Sequence, residues 1–134
     1  MYRTHRLSLT LVLYTACCLL VAFPLAAQEV KPAPLSDYET LALALKNGTV
    51  KNLLVVDIRS RELYKQGHIP KAINLPLDEL WDKVPGKAGI QPVLVVYGKP
   101  ASSDVRKAVD ILLSNGFTNV IAFGSISLWK GPLE

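Results

Sequence analysis

The sequence predicts an α/β domain: a mostly parallel central sheet with helices on both faces, in three layers. Three observations predict it. The apolar runs Leu53–Val56, Val93–Tyr97 and Val120–Phe123 are too short for helices, rich in β-branched residues and free of polar alternation. That is the pattern of strands covered on both sides. Between them lie stretches with helical spacing, foremost Val105, Ala108, Val109, Leu112 and Leu113, which form one face of an amphipathic helix. Strands that alternate with helices need right-handed crossovers and pair in parallel. In such sheets functional loops gather at the carboxyl ends of the strands. Here those ends are Asp57–Arg59, Gly98–Ser103 and Gly124-Ser125.

The chain has 134 residues, enough for one domain. Residues 1–27 predict a secretory signal peptide. Arg3 and Arg6 precede the apolar run Leu7–Phe23, and Pro24-Leu25-Ala26-Ala27 ends in small residues before Gln28-Glu29. Cleavage after Ala27 is expected, which places the protein in the periplasm or outside the cell. The alternatives are an uncleaved leader acting as a membrane anchor and lipidation at Cys17, for which Tyr14 is a poor match. Removing Arg3 and Arg6 lowers the formal net charge of +4 by two. No Lys/Arg stripe is present, so nucleic acid is not an expected partner. Both cysteines, Cys17 and Cys18, lie in the leader, as does the one methionine. The mature chain therefore has no disulfide, no thiol nucleophile and no thiolate metal ligand.

Residues 28–35 hold Pro32 and Pro34 and predict an extended lead-in to a single domain over 36–134. Ser36-Asp37-Tyr38-Glu39 fits a capping box, with Ser36 as the cap and Glu39 reaching back. The helix it starts runs to about Lys46 and ends at Asn47-Gly48. The Leu53–Val56 strand leads into Asp57-Ile58-Arg59. Ser60–Gln66 suits a short helix capped by Ser60, and Gly67-His68-Ile69-Pro70 a turn. Ala72–Leu75 reads as a brief strand stopped by Pro76, and Asp78–Val84 as a short helix closed by Pro85-Gly86. Lys87–Gln91 connects to the Val93–Tyr97 strand. A helix over Asp104–Ser114 ends at Asn115-Gly116. Val120–Phe123 is the last strand, Gly124 turns it, and Ile126–Lys130 is a final helical piece.

At these residues the chain resembles the rhodanese-like family over Ser36–Glu134. Leu54-Val55-Val56-Asp57-Ile58-Arg59 followed by Glu62-Leu63-Tyr64 is similar to the family's opening strand and acidic-Arg turn. Gly67-His68-Ile69-Pro70-Lys71-Ala72-Ile73-Asn74 is similar to its most specific signature, with Lys71 where Gly is usual. Gly116-Phe117-Thr118-Asn119-Val120 and Gly124 through Trp129 complete the match, with Ser125 where a second Gly is common. The resemblance implies a rhodanese-like fold and thiosulfate sulfurtransferase activity. It also implies a persulfide-forming Cys directly after the Val-Val-Tyr strand, in the pattern Cys-x-x-Gly-x-Arg.

The departure falls on that loop. Gly98 stands at the Cys position, Ala101 at the Gly and Ser103 at the Arg. The thiolate is the nucleophile of such chemistry, and Gly98 offers no substitute. Pro100 supplies no N–H, Ala101 resists positive φ, and Asp104 is expected to cap the following helix and to repel an anion. The loop Gly98, Lys99, Pro100, Ala101, Ser102, Ser103 is therefore read as degenerate, with no catalytic residue.

Three further constellations bear on function. Lys99, Ser102, Ser103 and Arg106 make a candidate oxyanion site for thiosulfate, sulfate or phosphate at the helix start. Ser102 and Ser103 as nucleophiles would need a base, and His68 is the one histidine beyond the leader; capping suits these serines better. Asp57 and Arg59 are expected to brace the loops as an ion pair. No metal site and no cofactor are implied. The expected function is an exported, catalytically inactive interaction or regulatory module with a protein partner. The alternatives are an oxyanion-binding module and a sulfurtransferase-like protein that borrows a partner's thiol.

Overall fold

Each apolar run forms a strand, because a run of β-branched residues buries both faces at once while the ladder satisfies its backbone. In a computed structural model, which describes residues 34–84 and 91–134, the strands are β1 (Leu53–Asp57), β2 (Ile73–Asn74), β3 (Val93–Gly98) and β4 (Val120–Ser125). They pair in parallel in the order β2-β1-β3-β4. The register aligns the carboxyl ends: Asp57 lies beside Asn74 and Tyr97, and Gly98 beside Ser125.

Successive strand side chains point to opposite faces. β3 sends Leu94 and Val96 to one core cluster, and Val95 and Tyr97 to the other. The first cluster is closed by Leu80 of α3 (Leu80–Lys83) and by Val105, Ala108 and Leu112 of α4 (Asp104–Ser114). The second is closed by Leu41 and Ala44 of α1 (Tyr38–Asn47), with Ile69 and Phe123. Two cores on one sheet give the three layers. The short helix α2 (Arg61–Gln66) buries no residue.

Several boundaries differ from the sequence reading. Asp37, not Ser36, caps α1: its backbone is extended and its carboxylate accepts from the Thr40 N–H at 2.9 Å. Leu35, placed in the lead-in, is buried in the second core. Ser60 holds the cap position of α2 but its side chain makes no capping bond. Gly124 does not end the last strand. The register shifts so that Ala122 pairs with Val96 and Gly124 with Tyr97, leaving Phe123 unpaired, and Gly124 takes φ +94°. This bulge, which glycine tolerates, turns Phe123 into the core. A single 3₁₀ turn over Ile126–Leu128 follows. The expected signal peptide 1–27 with Cys17 and Cys18, most of the expected 28–35 lead-in, and the connector through Pro85-Gly86 lie outside the described residues.

Candidate functional site

The loop between β3 and α4 runs from the end of the central strand pair to a helix N-terminus. Gly98 is buried, while Lys99, Pro100, Ala101 and Ser103 are exposed and Ser102 is half-buried. A Cβ on Gly98 would lie 3.0 Å from Val105 Cγ2 and 3.3 Å from Ile58 Cδ1 and Cγ1. Two apolar side chains from α4 and from the end of β1 thus crowd the space where a side chain at residue 98 would begin.

Ala101 adopts φ +54°. Ala101 was expected to resist positive φ; the loop keeps the left-handed turn all the same and carries its strain. Asp104 is also corrected. It is the first residue of α4, not its cap. Ser102 Oγ accepts from the Asp104 N–H at 3.1 Å, while the Ser103 side chain makes no capping bond. The hydrogen bond to Ser102, then the charges of Lys107 and Lys99, hold the Asp104 carboxyl below its ordinary range. Lys107 approaches it at 3.7 Å. The helix start therefore already carries an anionic group. Arg106 is exposed on α4.

Asp57 and Arg59 are brought together, and both are buried. Arg59 Nη2 donates to Asp57 Oδ2 at 2.6 Å, Nε reaches both carboxylate oxygens at 3.0 Å, and the Arg59 backbone N–H donates to Oδ1 at 2.9 Å. Arg59 also donates to the Gly67 carbonyl at 2.8 Å, and so ties the end of β1 to the turn after α2. The spacing of two residues makes this local pair possible; burial makes it costly to break.

Two members of this network were not singled out from the sequence. Tyr97 lies under Arg59, with the guanidinium carbon 5.7 Å from its ring centroid. Its hydroxyl accepts from the Ile69 N–H at 3.1 Å. Burial, and then the hydrogen bond to Asp57, push its ionisation well above the ordinary tyrosine range. The signal was one polar-tipped residue closing an apolar strand. Asn74 donates to the carbonyls of Asp57 at 3.1 Å and Arg59 at 2.9 Å.

His68 is not joined to Ser102 or Ser103. Its ring stacks on Tyr64 with centroids 3.8 Å apart, and Nδ1 lies 3.1 Å from the Tyr64 carbonyl. Its backbone exchanges two hydrogen bonds of 2.9 Å with Glu134. Ser102 thus has capping geometry, and neither serine has His68 as a general base.

Comparison with known proteins agrees with this architecture. The rhodanese-like domain family matches residues 37–131. An HTH-type transcriptional regulator of Mycobacterium tuberculosis is 36% identical over 89 residues, which are 63% of this chain and 39% of the regulator. The chain thus spans about two fifths of the length of that curated relative. The Alr3790 protein of Anabaena superposes with a TM-score of 0.64 at 30% identity, covering 73% of this chain and 80% of its own. A rhodanese with anions from E. coli superposes with a TM-score of 0.54 at 30% identity, covering 61% and 96%.

Proposed function

This chain belongs to the rhodanese-like domain family, and we propose that it acts there as an exported interaction or regulatory module and not as a sulfurtransferase. The observation that carries the reading is Gly98, which has no thiol and whose side-chain space is crowded by Val105 and Ile58. Sulfur transfer in this fold would need a thiolate, and no cysteine follows Cys18. The Asp104 carboxylate at the start of α4 adds repulsion toward an anionic sulfur donor. That a relative is a transcriptional regulator fits a domain that senses or contacts instead of catalysing. The leader sequence supports export.

The test is thiocyanate formation from thiosulfate and cyanide by the purified protein. Turnover at the rate of the buffer blank is expected. Turnover above it that survives removal of Cys17 and Cys18 would overturn the reading. The exposed loop is its first contact surface. A photocrosslinker at Ser103 is expected to capture the partner in the exporting cell, and replacing residues 99–103 with Gly and Ser to abolish capture. Unchanged capture moves the contact elsewhere.

A second reading, an oxyanion-binding module, is favoured by one observation: Ala101 retains the left-handed turn at φ +54°, a conformation that backbone anion nests use. A related rhodanese holds anions. Thermal unfolding in thiosulfate, sulfate, phosphate and chloride at matched ionic strength decides it. Ligand at a hundred times its Kd adds about 2.7 kcal/mol. A selective rise that Lys99→Ala removes supports this second reading; equal melts in all four salts eliminate it.

A further inference from the structure

The sequence holds two Asn-Gly pairs, Asn47-Gly48 and Asn115-Gly116, one at the C-terminus of α1 and one at that of α4. Asparagine is a thermolabile residue. A following glycine has no side chain to shield the asparagine amide from the next backbone nitrogen, and it lets that nitrogen swing toward the amide. The two pairs share this chemistry, and the fold treats them differently.

Asn115 is pinned. Its side-chain amide donates to the Trp81 carbonyl of α3 at 3.3 Å, and its backbone N–H donates to the Ile111 and Leu112 carbonyls at 3.0 and 3.1 Å. The Gly116 N–H, whose nitrogen would attack, donates to the Leu113 carbonyl at 3.0 Å. The next residue, Phe117, is buried in the first core and donates to the Leu112 carbonyl at 3.1 Å. Asn115 reacts only when the end of α4 unwinds. Asn47 is exposed, and its side chain makes no hydrogen bond among the described residues. No residue from Gly48 to Asn52 is buried. Beyond the helix ladder, two bonds hold this end of α1 among the described residues. The Gly48 N–H donates to the Ala44 carbonyl at 2.9 Å, and the Lys71 ammonium donates to the Leu45 carbonyl at 2.7 Å. The second satisfies, from outside the helix, one of the last carbonyls that a helix leaves without a partner. Lys71 makes it from a left-handed backbone, φ +64°.

We propose that Asn47 is a site of spontaneous covalent modification in the folded protein, guarded by Lys71, and that Asn115 is not. The step needs only water and hydroxide. When the last turn of α1 opens, hydroxide removes the Gly48 N–H proton and the nitrogen attacks Asn47 Cγ. The bond from Cγ to Nδ2 breaks, and ammonia leaves with a proton taken from water. Water then opens the cyclic imide at either carbonyl, to give aspartate or isoaspartate. No atom is oxidised or reduced. Either product puts a carboxylate at the negative end of the α1 dipole. Isoaspartate also adds a carbon to the main chain, which displaces the Gly48 N–H from Ala44. α1 brings Leu41 and Ala44 to the second core, so the modification loosens one wall of the domain irreversibly. The inference goes beyond the module reading and does not depend on it.

The purified protein is aged in mildly alkaline buffer, and peptide mass mapping follows the amide-to-acid mass gain at each pair. A urea-unfolded sample sets the intrinsic rates, and there the two pairs are expected to convert alike. In the folded protein Asn47 is expected to convert about tenfold faster than Asn115. Lys71→Gly, which suits the left-handed backbone at residue 71, is expected to speed Asn47 further and to leave Asn115 unchanged. The unchanged rate at Asn115 shows that the variant has not simply unfolded. The melting temperature of the wild type is expected to fall in step with conversion, and that of Asn47→Gln to hold over the same ageing. Four outcomes would each overturn the proposal: equal rates at the two pairs in the folded protein; conversion of Asn47 in urea only; an Asn47 rate that Lys71→Gly leaves unchanged or raises no more than at Asn115; or ageing of Asn47→Gln identical to the wild type.

Discussion

Val105 Cγ2 stands 3.0 Å from the point where a side chain on Gly98 would begin. A residue on the first turn of α4 thus fills, from the helix side, the place that the end of β3 leaves vacant. The fit is tight enough that a Cβ at residue 98 displaces a neighbour, yet two of the three contacts are with the end of the Ile58 side chain. The consequence is a measurable cost and a route to relieve it.

Gly98→Cys is expected to destabilise the domain by about 1–3 kcal/mol through overpacking, read from urea unfolding. Thiocyanate production is expected to stay at the blank rate. Adding Val105→Ala should recover part of the loss at residue 98. Full sulfurtransferase activity from Gly98→Cys alone would mean that the loop is already arranged for catalysis.

Ala101→Gly removes the left-handed strain of an L-residue, about 1–2 kcal/mol, and adds unfolded-state freedom worth about 0.4–1 kcal/mol. A net gain of about 0.5–1 kcal/mol is expected in the same measurement. A loss would show that φ +54° is not strained here.

Arg59→Ala strips a buried carboxylate of its partner and frees the Gly67 carbonyl. A loss of about 3–5 kcal/mol is expected. Arg59→Lys should recover little, because a single ammonium cannot match Nε and Nη2 together. Urea unfolding of both variants checks the order.

Tyr97 shapes the alkaline limb of stability. Its folded pKa lies above the unfolded value, so its contribution is full below about pH 10 and is lost as pH rises beyond that. Melting temperature should fall above pH 10 in the wild type, and Tyr97→Phe should flatten the fall. The same variant leaves the buried Ile69 N–H unpaired, at a cost of about 1–3 kcal/mol at neutral pH.

The acid limb has the opposite sign. Asp37, Glu79 and Asp104 have lowered folded pKa values: Asp37 through hydrogen bonds from Thr40, Glu79 through Lys83 first, and Asp104 through Ser102 first. Their stabilisation is complete above the unfolded carboxylate range and is lost as pH falls below about 4. A melting temperature level from pH 7 to about 5, then falling, is expected. Glu79→Gln should shallow that fall.

The sequence by itself determined the sheet, the helices on its two faces and the placing of the loop at the strand ends. The apolar runs at 53–56, 93–97 and 120–123 and the spacing from Val105 to Leu112 are local patterns, and burial reads them directly. It also determined the pairing of Asp57 with Arg59, whose separation of two residues keeps them neighbours in any strand-to-turn geometry. Only the tertiary structure decided what depends on segments far apart in the chain. Whether Ser36 or Asp37 caps α1 turned on the backbone angles at the helix start, which are extended at Asp37. Ala101 stays left-handed because β3 and α4 fix both ends of its loop. Tyr97 reaches Ile69, and Tyr38 meets Trp129. Side-chain periodicity records which way a residue faces, while its partner across the fold is chosen by how the layers close.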